Sequence, residues 1–271
     1  MQEAKKVNEN SICQAEIKTK KFIVQYDGTN YEGWQVQKRG RTIQGELEQA
    51  VSAVTQEEIC IIGASRTDAG VHALGQVASF KTSSHLSNDV LRRAINAHLS
   101  RDIRIKTVED VSDEFHPRFD AKEKTYVYII ANVIDPPFFL RPYVWGVRGV
   151  LNYKAMEQGL SKLSGEWDFS AFRASGCGAK NPIRTIIRTE LTCQESLDFM
   201  TIPYETSLII IRITGQSFLR YMVRNIVGTL VEVGHERLLP DDIEKILKKK
   251  NRQLAGPTAP ACGLFLEKID Y

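Results

Sequence analysis

Between Phe22 and Ile105 the apolar residues follow a single order of periods: strand, helix, strand, strand, helix, strand. Phe22-Ile23-Val24-Gln25-Tyr26 is rich in aromatic and β-branched residues and stops at the turn pair Asp27-Gly28. After Thr42, an N-cap residue type, Ile43, Leu47, Ala50, Val51 and Val54 recur at the spacing of one helix face. The run Ile59 to Ile62 and the alternating Gln76–Phe80 read as two strands holding a polar loop between them. A second helix is expected from a cap near Ser87, with Val90, Leu91, Ala94 and Ile95 inward, and Ile103-Arg104-Ile105 begins another strand. This β-α-β-β-α-β order predicts a ferredoxin-like α+β unit with its helices stacked on one sheet face.

The second half repeats the plan in element order, without a residue-level repeat. Thr125-Tyr126-Val127-Tyr128-Ile129-Ile130 alternates as a strand, and Pro136, Pro137 and Pro142 punctuate a long connection. A helix is expected from an Asn152 cap to Gly165, then strands over Thr185–Thr192 and Leu208–Ile213. A long helix from about Phe218 to Val233 buries Met222, Val223, Ile226, Val227 and Leu230. The last helix starts near Pro240 and ends in Lys248-Lys249-Lys250, where cations suit the helix dipole. At 271 residues the chain exceeds the usual single-domain size. The expectation is therefore a polar tail over 1–20, a ferredoxin-like domain over 21–114 and a second, RRM-like in the same sense, over 115–271. Their antiparallel or mixed sheets join, with a catalytic cleft between them.

Hydrophobic residues make up 42% of the chain and charged residues 25%, ordinary values that allow a real core. The first twenty residues carry Glu3, Glu9 and Glu16 and no apolar h-region, so neither a signal peptide nor a transit peptide is expected. No stretch is long and apolar enough to span a bilayer. Cys13, Cys60, Cys177, Cys193 and Cys262 are odd in number and widely spaced, which argues against a zinc site or a disulfide framework and fits a reducing cytoplasm. The net charge of +3 does not decide for or against nucleic acid. Its distribution says more. Lys38/Arg39/Arg41, Arg92/Arg93, Arg101/Arg104 and Lys248–Lys250/Arg252 predict a positive side able to contact phosphates.

Chemistry concentrates in Ala64-Ser65-Arg66-Thr67-Asp68-Ala69-Gly70-Val71-His72-Ala73. Read blandly, this is a tight turn with Asp68 capping an amide. Between two apolar strands, however, its side chains crowd into a cleft, and a half-buried carboxylate needs cations or amide donors to stay charged. His72 reads as a structural histidine entering a strand. Tyr126 is either a packing residue or a flat ring on which a base can stack. Arg220, Arg224 and Gly228 fall one turn apart beside the buried stripe of the long helix, so Gly228 predicts a close approach and Arg224 needs a carboxylate, for which Asp68 is a candidate. Phosphate-loop, dinucleotide-binding, zinc-protease and nucleophile-elbow motifs are all missing, so neither a nucleotide cofactor nor a metal is expected.

Five segments together resemble the TruA family of tRNA pseudouridine synthases, in that family's order over about residues 20–271. They are Tyr26-Asp27-Gly28 through Gly33-Trp34-Gln35; Gly63 to Gly75; Phe115-His116-Pro117-Arg118-Phe119 running to Tyr126; Phe218-Leu219 through Met222-Val223-Arg224-Asn225; and Ala259-Pro260 to Gly263-Leu264. The resemblance implies a cofactor-free isomerase of uridine at positions 38 to 40 of tRNA, acting as a homodimer that shares the tRNA across both subunits. It implies Asp68 as the catalytic aspartate, Arg66 as the arginine associated with flipping the nucleotide, Tyr126 as the ring stacked on the uracil and Arg224 as the ion partner of Asp68. Ser65 stands where glycine is frequent in the family, and the N-terminal tail is extra. On chemical grounds Asp68 can attack C1′, attack the base or take a proton from the sugar, and Arg224 is expected to lower its pKa. Two rivals are a non-catalytic RNA-binding module, which has no use for a buried carboxylate beside RNA, and a glycosidase, which would need a second carboxylate.

Overall fold

The computed structural model describes residues 16–199 and 201–271. In chain order the elements of the first half are β1 (Lys18–Tyr26), α1 (Ile43–Thr55), β2 (Ile62–Gly63), β3 (His72–Thr82), α2 (Asn88–His98) and β4 (Ile103–Val111). Those of the second are β5 (Glu123–Ala131), β6 (Trp145–Gly146), α3 (Tyr153–Ser161), β7 (Gly165–Asp168), β8 (Ile183–Phe199), β9 (Ile202–Gly215), α4 (Met222–Gly234), α5 (Asp242–Lys249) and β10 (Leu264–Asp270). No described helix is long and apolar enough to cross a membrane.

The fold is mixed α+β, built on a ten-stranded sheet ordered β4-β1-β3-β10-β5-β9-β8-β7, with β2 on β3 and β6 on β5. Within the first half, taking strands in chain order, the sheet runs fourth, first, third, second: β4, β1, β3, β2. The second half gives the same order in β10, β5, β9, β8. β10 joins the halves. It runs antiparallel to β5 and parallel to β3, pairing Phe265 with His72 and Leu266 with Ala73. The outer edge of β3 is therefore shared, with β2 at Ala78 and Ser79 and β10 at His72 and Ala73. The polar loop 64–71 leaves β2 and enters β3 at this seam.

Local signals account for most boundaries. Thr42 caps α1 by accepting from the Gly45 amide at 3.3 Å, Ser87 caps α2, and Asn152 caps α3, each type of cap contributing about 1 kcal/mol. Met222, Val223, Ile226, Val227 and Leu230 are buried in α4, where each apolar side chain contributes roughly 1.5–3 kcal/mol. One continuous core takes side chains from both halves.

Several expectations change. Residues 1–15 of the expected tail lie outside the described residues, and Lys18, Thr19 and Lys20 already belong to β1. Val90 is exposed; Leu91 and Ile95 carry the inward face of α2. The third helix ends at Ser161, and Gly165 starts β7 instead. α4 begins at Met222 and not Phe218, because Tyr221 takes a left-handed conformation (φ 63°) and breaks the helix. The strand β10 carries no separate expectation above, although it joins the sheet.

Candidate active site

The loop 64–71 is held from below by the first half. Trp34 N donates to Thr67 O at 3.0 Å, and the Tyr26 and Thr67 hydroxyls bond at 2.8 Å. Gln76 clasps Ser65 through both main-chain groups, donating to its carbonyl at 2.6 Å and accepting from its amide at 3.2 Å. Gly33, at φ 94°, lets its chain pass so close that a Cβ would lie 2.6 Å from Thr67 O. The second half adds Lys124 of β5, which is buried and donates to Ala64 O at 2.6 Å. Burial, with Arg118 nearby, brings its ammonium down to about 8.

On this fixed loop the Asp68 side chain remains 22% exposed. Two guanidinium groups face it across the seam: Arg224 Nη1 at 3.7 Å from Oδ2 and Arg220 Nε at 4.0 Å from Oδ1. Neither distance is a hydrogen bond of ordinary length, so the carboxylate is attracted without being saturated. Burial pushes the Asp68 carboxyl above its usual range; Arg224 first and Arg220 second pull it back without cancelling the rise. The expectation that Arg224 lowers the pKa of Asp68 therefore holds for its pull and fails for the net result.

Arg224 is itself fixed from the C-terminal end of the chain. Its Nε donates to Ala259 O at 2.8 Å while Ala259 N donates to Arg224 O at 3.1 Å. The segment reaches α4 this closely because of Gly228, where a Cβ would lie 1.7 Å from Pro257 O. Arg252 and Thr258 tie the same segment to Asn225 Oδ1 at 3.1 and 2.6 Å. The close approach predicted from Gly228 is thus chain on chain.

Tyr126 lies below the loop on β5, its hydroxyl 2.7 Å from Ser65 Oγ and its ring edge-on to Phe218 at 5.0 Å. At 6% exposure it is buried more deeply than a ready stacking platform, so a base reaching its face must displace part of its packing. Burial pushes its phenol up to about 12, which leaves no phenolate to act as a base near neutral pH. Arg66 differs: it is exposed and forms no ion pair among the described residues. The structure thus brings Asp68, Arg224 and Tyr126 together and leaves Arg66 at the rim. Arg220, Phe218 and Lys124 join the site as well; for Arg220, the signal was its place one turn before Arg224.

His72 is buried and stacks on Phe265, accepting from Gly28 N at 3.1 Å, with burial holding its imidazole below the usual range. It is structural. Several members of the basic clusters have local partners, while no ion pair is made by Lys38, Arg39, Arg101 or Lys249 among the described residues. Arg41 pairs with Glu46, Arg92 and Arg93 with Asp89, Lys248 with Glu244 and Lys250 with Asp168, while Arg104 and Arg252 are engaged by main-chain carbonyls. Among the described residues no group of three or more His, Cys, Asp or Glu is arranged to hold a metal ion.

Comparison with known proteins matches residues 22–120 and 160–271 to a family model described as tRNA pseudouridine synthase. A tRNA pseudouridine synthase A of Thermodesulfovibrio yellowstonii is 43% identical over 93% of this chain and 98% of its own length. One from Thermoanaerobacter sp. is 45% identical over 92% and 98%. Among solved structures, an archaeal box H/ACA sRNP protein complex overlaps at a TM-score of 0.32 and 9% identity, over 79% of this chain and 43% of that one, too slight a likeness to inform the site.

Proposed function

The chain belongs to the tRNA pseudouridine synthase family, whose members are isomerases, and on that premise we propose that it converts uridine to pseudouridine at positions 38 to 40 in the anticodon arm of tRNA, with Asp68 as its reactive group. The observation that carries this reading is Asp68 itself: a carboxylate on a fully pinned loop, half-buried, faced by two arginines, and accepting no hydrogen bond of ordinary length from another described residue. A carboxylate serving only structure ordinarily has at least one directed hydrogen-bond partner.

The reaction breaks N1–C1′, turns the uracil and forms C5–C1′; C5 loses a proton and N1 gains one. Atoms and oxidation state balance within one nucleotide. Attack on C1′, attack on the base and proton abstraction from the sugar all demand an ionised, accessible Asp68. Arg224 supports ionisation from the buried side. The target nucleotide has to leave the stack, at a cost of a few kcal/mol, and in this reading Arg66, exposed on the loop, fills the vacated space. Once the packing around it opens, Tyr126 offers the uracil a ring face, which contributes about 1–3 kcal/mol.

The matching strand order of the halves supports reading them as two ferredoxin-like units, 21–114 and 115–271, with the cleft at their seam. We extend the reading to a homodimer sharing one tRNA across both subunits, acting in the cytoplasm without cofactor or metal. The test incubates the protein with unmodified tRNA transcript and maps pseudouridine by carbodiimide-blocked primer extension. Modification in the anticodon arm, lost in Asp68→Asn with tRNA binding retained, is the expected result. Full activity in Asp68→Asn would overturn the role of Asp68, and binding without product on any tRNA would leave an RNA-binding module.

A further inference from the structure

Tyr221 immediately precedes α4 with φ 63° and ψ 2°, a left-handed conformation that a side chain with a Cβ adopts at a cost. Helix capping does not explain it. Tyr221 occupies the N-cap position and makes no side-chain cap bond, where Ser, Asp or Asn would. The surrounding backbone nonetheless enforces the conformation. Ala174 N donates to Arg220 O at 2.9 Å, Met222 N to Leu219 O at 3.1 Å and Asn225 N to Tyr221 O at 2.8 Å. The Asn225 amide ties the same turn to Phe172 O at 2.7 Å.

The ring is where this arrangement has an effect. The Arg224 guanidinium lies 4.7 Å from its centroid and that of Arg220 4.9 Å, with Arg220 Nη2 also reaching the Tyr221 hydroxyl at 3.5 Å. These are the same two groups that face Asp68. We propose that Tyr221 is the positioning residue of this site: its ring, fixed by the left-handed turn, holds both guanidinium groups and aims them at Asp68. The proposal rests on the reading of Asp68 as the reactive group.

The two arginines depend on it unequally. Arg224 is 14% exposed and has Ala259 O as a second anchor, whereas Arg220 is 56% exposed, with Tyr221 as its only other side-chain hydrogen-bond or ring partner among the described residues. A long cation at a surface loses rotamer freedom when it is held, and a guanidinium over an aromatic face is attracted by the ring's electrons. Tyr221 therefore keeps Arg220 from dispersing into solvent and presents a second positive charge beside the carboxylate. The ionisable groups that influence Asp68 are Arg220 and Arg224 next to Tyr221, and Tyr126 from β5. Loss of the arginines' alignment would leave burial less opposed and Asp68 harder to ionise.

Single-turnover pseudouridine formation on unmodified tRNA, followed from about pH 5 to 8, tests this with two variants. Tyr221→Gly removes the ring at a residue type that accepts the left-handed turn freely, and Tyr221→Phe keeps the ring. The expected result for Tyr221→Gly is an unchanged or higher melting temperature, a rate lower by about tenfold, and an acid limb moved to higher pH. Tyr221→Phe should restore both rate and limb. Should the glycine variant unfold, Tyr221→Asn, which also tolerates this region, takes its place. Wild-type rate and an unmoved limb in the ring-less variant would overturn the proposal, as would equal losses in the Gly and Phe variants. An inactive wild-type protein would count against the function proposed above and not against the positioning. In that event the NMR titration of the Asp68 carboxyl decides, since removing the ring must raise its midpoint and an unchanged midpoint contradicts the proposal.

Discussion

Asp27 and Asp68 are nearly alike in exposure, their side chains 30% and 22% accessible, and they flank the same seam. Their surroundings are opposite. Asp27 Oδ1 accepts from the Thr29 amide at 2.9 Å and hydroxyl at 2.5 Å, and Oδ2 accepts from the Tyr143 hydroxyl at 2.7 Å. Burial pushes the Asp27 carboxyl up, but the bonds from Thr29 and Tyr143, with His72 beside it, outweigh burial and hold it below the usual range. Asp68 has two whole charges near it and no hydrogen bond of ordinary length to its carboxylate among the described residues, and its carboxyl stays above the usual range. Directed donors saturate a carboxylate and make it part of the framework. Cations standing off at 3.7 and 4.0 Å keep one charged while leaving its lone pairs available.

The largest effect that could break this contrast is on Asp68. Asp68→Asn should lower the single-turnover rate about 10³-fold or more while leaving the melting temperature unchanged or higher, since a strained charge is removed. The pH dependence follows the same sign. With its folded pKa raised, native Asp68 takes up a proton before the unfolded chain does, so the stability gap between wild type and Asp68→Asn narrows as pH falls towards 3.8. Arg224→Ala should slow the reaction about 10²-fold, because it removes the buried partner of the carboxylate. Gly228→Ala sharpens the point from a distance. Its Cβ would meet Pro257 O, displace the segment that anchors Arg224, and cost about 2 kcal/mol by denaturation together with part of the rate. The smallest effect is at Asp27. Asp27→Asn should cost about 1 kcal/mol near neutral pH and leave the rate unaltered. Because the folded pKa of Asp27 is depressed, its contribution is present above 3.8 and lost as pH falls through the folded value, so the asparagine variant should lose that acid sensitivity.

Much of this was legible in the sequence where local chemistry decides. Thr42, Ser87 and Asn152 are caps in the structure because a hydroxyl or amide preceding an amphipathic run can do little else as well. The pairing of Asp68 with Arg224 was legible in part: an arginine beside a buried helical stripe needs a carboxylate, which made Asp68 a candidate, and the family resemblance singled it out. Features set by distant parts of the chain were not. Phe218, Leu219 and Arg220 continue the helical pattern of α4, and only the bond from Ala174 and the bends around Tyr221 stop the helix at Met222. The Asp27-Gly28 pair reads as a turn, whereas its bond to Tyr143 spans more than a hundred residues. The partners of the four basic clusters were not legible either: acids such as Glu46, Asp89 and Glu244 pair with some of their cations along or beside a helix, and Asp168 pairs with Lys250 across the fold. The strand pattern left Tyr126 open between packing and a stacking ring, because its contacts with Ser65 and Phe218 come from distant parts of the chain.

The contrast between the two aspartates reduces to one measurement: the carboxyl-carbon NMR titration of Asp27 and Asp68 in the same sample, each assigned by its asparagine variant. Asp68 is predicted to titrate above the ordinary aspartate value of 3.8 and Asp27 below it. A midpoint for Asp68 at or below that of Asp27 would contradict the account, because the carboxylate taken to be poised for chemistry would then be as settled as the structural one.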